Sequence, residues 1–372
     1  MTNEQLLEKI HLVVDKLMNL GGADYDKDKA VDRSNTKKGM IQRDFGIEEW
    51  DWPQGVGLYG LLKLQEYYGD GRYNDFFAHW YENNINIGLP SKNINTTAPF
   101  LALVTLMDQL PDSEKYHAMV RERAEWLLKE LPKTKEGGFQ HVTSAIGDRN
   151  GVILNEGQLW VDTLVMAVLF LNKAGYRYSE ESWTKEAVHQ FLVHIKYLYD
   201  KETGLFHHGW SFGRNDNFGG IFWCRGNSWF TYGVMDYIDA CGSGLDAGVK
   251  AYLIDTFKAQ AAALLKLQAP SGLWHTVLTD DTSYDEVSGS AAIAAGLLKG
   301  VRAGILDASY KEAADRAVEA ICKNVSEDGT VLNVSAGTGI GMEADHYKNI
   351  AIMPMAYGQS LALIALCEAL EK

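Results

Sequence analysis

An acid placed beside an aromatic ring where a buried helix begins is a setting for proton transfer, and one stretch of this chain has that form. Asn155-Glu156-Gly157-Gln158-Leu159-Trp160-Val161-Asp162-Thr163 runs into an apolar helical pattern, with Asp162 at the junction. Two readings compete there. As an N-cap, the Asp162 carboxylate accepts backbone N–H groups, and the helix N-terminus holds it ionised. As a general acid it needs the opposite: a pKa raised by burial against Trp160 or by a neighbouring anion, such as the carboxylate of a substrate.

Three further clusters carry usable chemistry. Ile221-Phe222-Trp223-Cys224-Arg225-Gly226-Asn227-Ser228-Trp229 sets Arg225 among aromatic rings. A guanidinium there needs a carboxylate partner, either an internal Asp or Glu or a uronate brought by a ligand. His207-His208-Gly209-Trp210 has two adjacent histidines. In an extended segment they face opposite ways and chelate poorly, so His208 suits a hydrogen bond to a substrate, or a satisfied structural place, better than a metal. With no HExxH and no metal-type His/carboxylate spacing, no metal and no cofactor are expected. Around Trp50-Asp51-Trp52-Pro53, two indoles flank a turn, as a sugar platform or as plain packing. Gly337-Thr338-Gly339-Ile340-Gly341 lacks a Gly-Lys-Ser or Gly-Lys-Thr, so it reads as a loop beside the site, with Glu343, Asp345, His346 and Lys348 near it.

These residues need a scaffold, and the chain has ample material: 372 residues, 46% hydrophobic and 23% charged. The net charge of −14 argues against a nucleic-acid partner, because phosphate binding needs clustered Lys and Arg. The same charge means that any site for an acidic ligand must supply its own donors. Met1 to Leu20 is an amphipathic helix pattern without a secretory leader's layout, and no apolar window of about 18 residues suits a membrane span. The four cysteines form no CxxC pair. A cytoplasmic protein with reduced thiols is expected.

Helical periodicity appears over 3–19, 54–69, 71–88, 97–110, 113–132, 162–174, 180–199, 228–241, 246–268, 289–304, 309–325 and 357–371. Amphipathic helices alternate with helices that are apolar nearly all round, the mark of outer and inner positions. That predicts an all-α (α/α)6 barrel with long aromatic-rich loops on one face. A short repeat agrees: Glu136-Gly137-Gly138-Phe139, Thr203-Gly204-Leu205-Phe206, Ser271-Gly272-Leu273-Trp274 and Asp328-Gly329-Thr330-Val331 recur roughly every 55–70 residues, each as a Gly turn entering an extended segment. No linker composition interrupts the chain, so a single domain over 1–372 is expected.

Taken in order, Trp50-Asp51-Trp52-Pro53-Gln54-Gly55-Val56, Gln158-Leu159-Trp160-Val161-Asp162, Gly204-Leu205-Phe206-His207-His208-Gly209-Trp210, Phe222-Trp223-Cys224-Arg225-Gly226-Asn227-Ser228-Trp229 and Gly272-Leu273-Trp274 resemble glycoside hydrolase family 105, the unsaturated rhamnogalacturonyl hydrolases. The resemblance implies a cytoplasmic barrel enzyme of pectin breakdown. Its substrate would be a 4,5-unsaturated galacturonyl residue linked to rhamnose. It maps the catalytic acid onto Asp162 and substrate contacts onto His208, Arg225 and Trp229, with Trp50, Trp52 and Trp160 nearby. The related unsaturated glucuronyl hydrolases carry a second Asp where Asn95 stands here, in Asn93-Ile94-Asn95-Thr96-Thr97. An Asn positions but does not exchange protons, which leaves a one-carboxylate mechanism. Four other readings stay open at this point: an unsaturated glucuronyl hydrolase, a sugar epimerase, a carbohydrate-binding barrel and a conventional glycosidase of similar fold.

Overall fold

The computed structural model describes residues 1–21, 46–145 and 148–370. Twelve long helices appear among them: α1 (Asn3–Met18), α2 (Trp52–Tyr68), α3 (Asn74–Ile87), α4 (Pro99–Leu106), α5 (Ser113–Lys129), α6 (Leu169–Tyr178), α7 (Glu181–Leu198), α8 (Cys224–Cys241), α9 (Ala247–Leu267), α10 (Val287–Arg302), α11 (Ala308–Lys323) and, after a single short turn α12 (Ala344–Lys348), α13 (Ala356–Ala369).

The even-numbered helices from α2 to α10, together with α13, form the inner ring. Each packs against its neighbours in the order α2, α4, α6, α8, α10, α13, and α13 returns to α2. Six inner helices closed on themselves, each followed or preceded by an outer partner, make the (α/α)6 barrel that the alternation of patterns predicts. Residue size is what lets these helices pack so closely. A Cβ on Gly60 of α2 would sit 2.8 Å from the Cα of Ser360 on α13, and one on Gly296 of α10 would sit 2.6 Å from the carbonyl oxygen of Thr231 on α8. The helix faces touch backbone to backbone there, and only glycine fits.

Local signals set the helix starts. Asp51 caps α2 by accepting from Trp52 N–H, with Pro53 in the first turn, and Asp246 and Asp307 cap α9 and α11 in the same way. Two helix starts differ most from the periodicity. Helix α8 begins at Cys224 rather than near 228, because Arg225 in its first turn, and the Trp223 and Trp229 indoles on either side of that turn, are themselves buried and break the amphipathic pattern. The helix expected from 162 opens instead with a π-helical turn, Leu164–Val168, before α6. Residue 371, the expected end of the last helix, lies outside the described residues.

The Gly repeat is a structural repeat. Gly137, Gly204, Gly272 and Gly329 all have φ between 77° and 93°. Three of the turns close with isolated bridges, Lys133 to Phe139, Tyr199 to Phe206 and Val325 to Val331. In each copy the backbone N–H that follows is taken by a buried side chain: Gln190 at Phe139, Asn227 at Phe206, Ser290 at Trp274 and Gln359 at Val331. The short extended segments then run to the face where the inner helices begin. They pair as β1 (Val142–Ala145) with β2 (Asp148–Leu154), β3 (Gln158–Trp160) with β4 (Gly209–Ser211), and β5 (Trp274–His275) with β6 (Asp285–Glu286).

Candidate active site at the mouth of the barrel

The antiparallel pairing of β3 with β4 assembles the site. Trp160 lies opposite Gly209, and Val161 N–H bonds to the carbonyl of His208, so Asp162 and His208 leave the ladder side by side. Helix α8 supplies the third member from its second turn. Trp229 donates its indole N–H to Asp162 Oδ1 at 3.1 Å, and His208 Nε2 faces Asp162 Oδ2 at 3.2 Å. The second contact lacks the alignment of a hydrogen bond. Asp162 Oδ2 and His208 Nε2 therefore both keep an unfilled bonding position among the described residues. The Asp162 side chain is 16% exposed, which leaves it reachable from the mouth.

The carboxylate of Asp162 thus bonds across the barrel to α8, while its backbone carbonyl accepts from Val165 and Met166 in the π turn. An N-cap role for the side chain does not describe this geometry. Burial pushes the Asp162 carboxyl upward, but His208 facing it, and His141 beyond, outweigh burial and hold it below its ordinary value. His141 stacks on Trp160 with ring centroids 4.3 Å apart and accepts from or donates to Thr163 Oγ1 at 2.9 Å. Burial drives its pKa down to about 3, so it is neutral at pH 7.

Trp52 and Trp160 frame the opening. Trp52 is partly exposed, stacks on Tyr357 at 4.6 Å and meets Trp229 edge-on. The Gly337–Gly341 stretch crosses between them: a Cβ on Gly337 would touch the Trp52 indole at 3.1 Å, and one on Gly339 the Trp160 indole at 3.7 Å. Of the charged residues near that stretch, His346 bonds Thr338 Oγ1 and Lys348 pairs with Asp280, while Glu343 and Asp345 point to the exposed surface. Asn95 heads a 3-10 turn, Asn95–Thr97, and is half-buried.

Two expected contacts have other places. Trp50 is fully buried, stacked on Trp80 and edge-on to Tyr81 and Phe100, and its N–H goes to the carbonyl of Thr96. It is core and has no face for a sugar. Arg225 is likewise closed off, 0% exposed, with Glu286 (also 0% exposed) at 3.7 Å. Its terminal nitrogens donate to Ser335 O, Ser335 Oγ, Ser288 Oγ and Ala336 O, and the guanidinium lies between the rings of Trp223 and Tyr357. Of the two readings of Arg225, the bridge to an internal acid is the one this geometry shows. Glu286 also receives Ser335 N–H and caps α10 at Gly289. Arg225 and Glu286 together pin the backbone that leads into Gly337–Gly341.

Tyr347, His141, Tyr357 and Glu286 were not singled out as site residues from the sequence. His141 had a signal, since it follows Phe139 in the same repeat that places His208. Tyr347 and Glu286 had none, because they reach the site from distant positions in the chain.

The comparisons with known proteins agree with this architecture. The model of Glycosyl Hydrolase Family 88 matches residues 27–372. Among characterised proteins, the unsaturated rhamnogalacturonyl hydrolase YesR of Bacillus subtilis (strain 168) is 32% identical over 336 residues, covering 89% of this chain and 93% of YesR. A solved structure described as a possible member of family 105, from Salmonella enterica serovar Paratyphi A, is 35% identical with a TM-score of 0.88, covering 99% of this chain and 94% of that one. The unsaturated glucuronyl hydrolase of Bacillus sp. GL1 shares the fold, with a TM-score of 0.68 at 18% identity over 98% of this chain and 96% of that one. The chain, an (α/α)6 barrel with Asp162 at its mouth, belongs to Glycosyl Hydrolase Family 88.

Proposed function

We propose that this protein releases a 4,5-unsaturated uronic acid from a rhamnose-containing oligosaccharide, with Asp162 as the proton donor and the whole chain as one catalytic domain. The observation that supports the reading is that, among the described residues, Asp162 is the carboxylate held by Trp229 and His208 beside Trp160. By the family resemblance, Asn95 stands where the glucuronyl hydrolases carry a second acid. Ordinary glycosidases need two carboxylates flanking the scissile bond. An unsaturated uronide contains a vinyl ether and needs only one. Asp162 protonates C4 of the C4=C5 bond, and the ring oxygen stabilises the cation at C5. Water, deprotonated by the same Asp162, adds at C5, and the hemiketal opens with loss of the aglycone. The likeness to YesR supports galacturonyl over glucuronyl as the unsaturated sugar.

The lowered pKa of Asp162 fits a substrate that is itself an anion. In the free enzyme His208 and His141 favour the carboxylate; a uronate arriving beside it disfavours that charge and loads the proton where it is needed. The deciding experiment follows ultraviolet absorbance of the unsaturated uronate with purified protein and rhamnogalacturonan-lyase products. Loss of absorbance with release of free rhamnose is expected. Unchanged absorbance with both unsaturated galacturonyl and unsaturated glucuronyl disaccharides would defeat this reading.

A further inference from the structure

Tyr347 lies behind the site, on α12, and does not contact Asp162 directly. Its hydroxyl is buried and has two partners: it accepts from Gly341 N–H at 3.1 Å and meets His208 Nδ1 at 2.8 Å. A phenol has one proton to give. If His208 Nδ1–H were the donor, the Tyr347 hydroxyl would accept twice, and its own proton would be buried with no acceptor among the described residues. That arrangement costs the desolvation of an O–H group for no return. The arrangement that satisfies every atom has Tyr347 donating to Nδ1. His208 Nδ1 is then the acceptor, and the ring proton sits on Nε2, the nitrogen facing Asp162 Oδ2.

From this geometry we infer that Tyr347 is a positioning residue that fixes His208 as the Nε2–H tautomer. The consequence reaches Asp162. With that tautomer, both carboxylate oxygens face N–H groups, one from Trp229 and one from His208. With the other tautomer, a ring lone pair would face Oδ2 at 3.2 Å and repel it. His208 Nε2 has no aligned acceptor among the described residues, so its N–H, fixed in the ring plane, remains available to a substrate hydroxyl or carboxylate placed beside Asp162. The tyrosine is held in turn. Its ring packs against those of Trp223 and His208, and its backbone carbonyl accepts from the Tyr284 hydroxyl. The device thus ties the backbone amide of Gly341, in the stretch that crosses the mouth, to the state of the acid below it.

The test is Tyr347→Phe, which keeps the ring and removes only the donor. The first readout is the tautomer of His208, from ¹⁵N–¹H correlation spectra of histidine-labelled protein without substrate, the resonances assigned by their loss in His208→Gln. Wild type is expected to show Nε2–H with Nδ1 unprotonated, and Tyr347→Phe to show appearance of the Nδ1–H form. The second readout is kinetic, and it rests on the hydrolase reading: kcat is expected to fall by about 5- to 100-fold, the worth of one buried hydrogen bond, with KM changed far less. An Nδ1–H tautomer in the wild type would overturn the inference, as would a Tyr347→Phe protein with unaltered tautomer. The spectra need no turnover, so the inference stands or falls separately from the reaction assigned to Asp162.

Discussion

At the scale of single residues, the site is a contest over one carboxylate. Burial of Asp162 opposes its charge, and His208, with His141 beyond it, outweighs burial. Removing its proton-transfer ability without changing its shape tests the proposed role: Asp162→Asn is expected to fold normally and to lose about 10²- to 10⁴-fold in kcat, measured as the rate of absorbance loss. The pH dependence carries a sign that follows from the same argument. The descending limb of kcat/KM reports Asp162 in the free enzyme, where its pKa is low. That of kcat reports it beside the substrate anion, where it is raised. The kcat limb is therefore expected at higher pH, and coincident limbs would show that the substrate does not load the acid. Arg225 makes a contrasting case. Its change to Met strands Glu286, an acid that is also fully buried, and is expected to cost about 3–5 kcal/mol of stability. Urea unfolding measures this; a raised KM at unchanged stability would mean that Arg225 meets substrate instead.

Elements decide how well these residues are aimed. The β3–β4 pair carries Trp160, Asp162 and His208 from two loops that are adjacent only through the barrel, so a slip of one residue would turn His208 away. The inner helices hold the loops by close contact through glycine. Gly296→Ala would drive a Cβ into the Thr231 carbonyl and is expected to destabilise by about 1–3 kcal/mol, with thermal unfolding as the measurement. Much of this level was legible beforehand. The alternation of amphipathic and fully apolar helices reads as outer and inner because each helix reports its own surroundings, and the Gly-turn repeat reports its own backbone. Less legible were positions whose meaning depends on a distant partner. Trp50 sits in a segment with no period, so nothing local told core from platform. Arg225 announced its need for an acid, but Glu286 lies on another inner helix. Asp162, His208 and Trp229 came together on the family resemblance, and only the folded ring shows why: β4 and α8 both deliver to the start of the third inner helix.

The whole barrel has two unlike ends. Opposite the mouth, Asp236 of α8 lies buried among Lys63, Lys299 and the Tyr59 hydroxyl, with Lys173 nearby. Burial raises its pKa, and the surrounding lysines lower it by more. A folded-state pKa below the unfolded one means stability that is complete above the ordinary carboxylate range and lost as pH falls through and below it. Asp236→Asn, which leaves those ammonium groups facing one another, is expected to lower stability at pH 7 by about 3–5 kcal/mol and to flatten the acid side of the stability profile, read from urea midpoints across pH. Between this cluster and Asp162 the axis is filled by Trp229, Tyr232, Tyr59 and Val165 around a small apolar void. The barrel is therefore a blind well. On the reaction proposed for it, a sugar chain cannot thread through such a well; it enters by its unsaturated tip alone, loses that one ring, and backs out with a new end that carries no C4=C5 bond. Such an enzyme acts once on each unsaturated end, and cleavage of the interior of a long polymer, which makes those ends, is left to others.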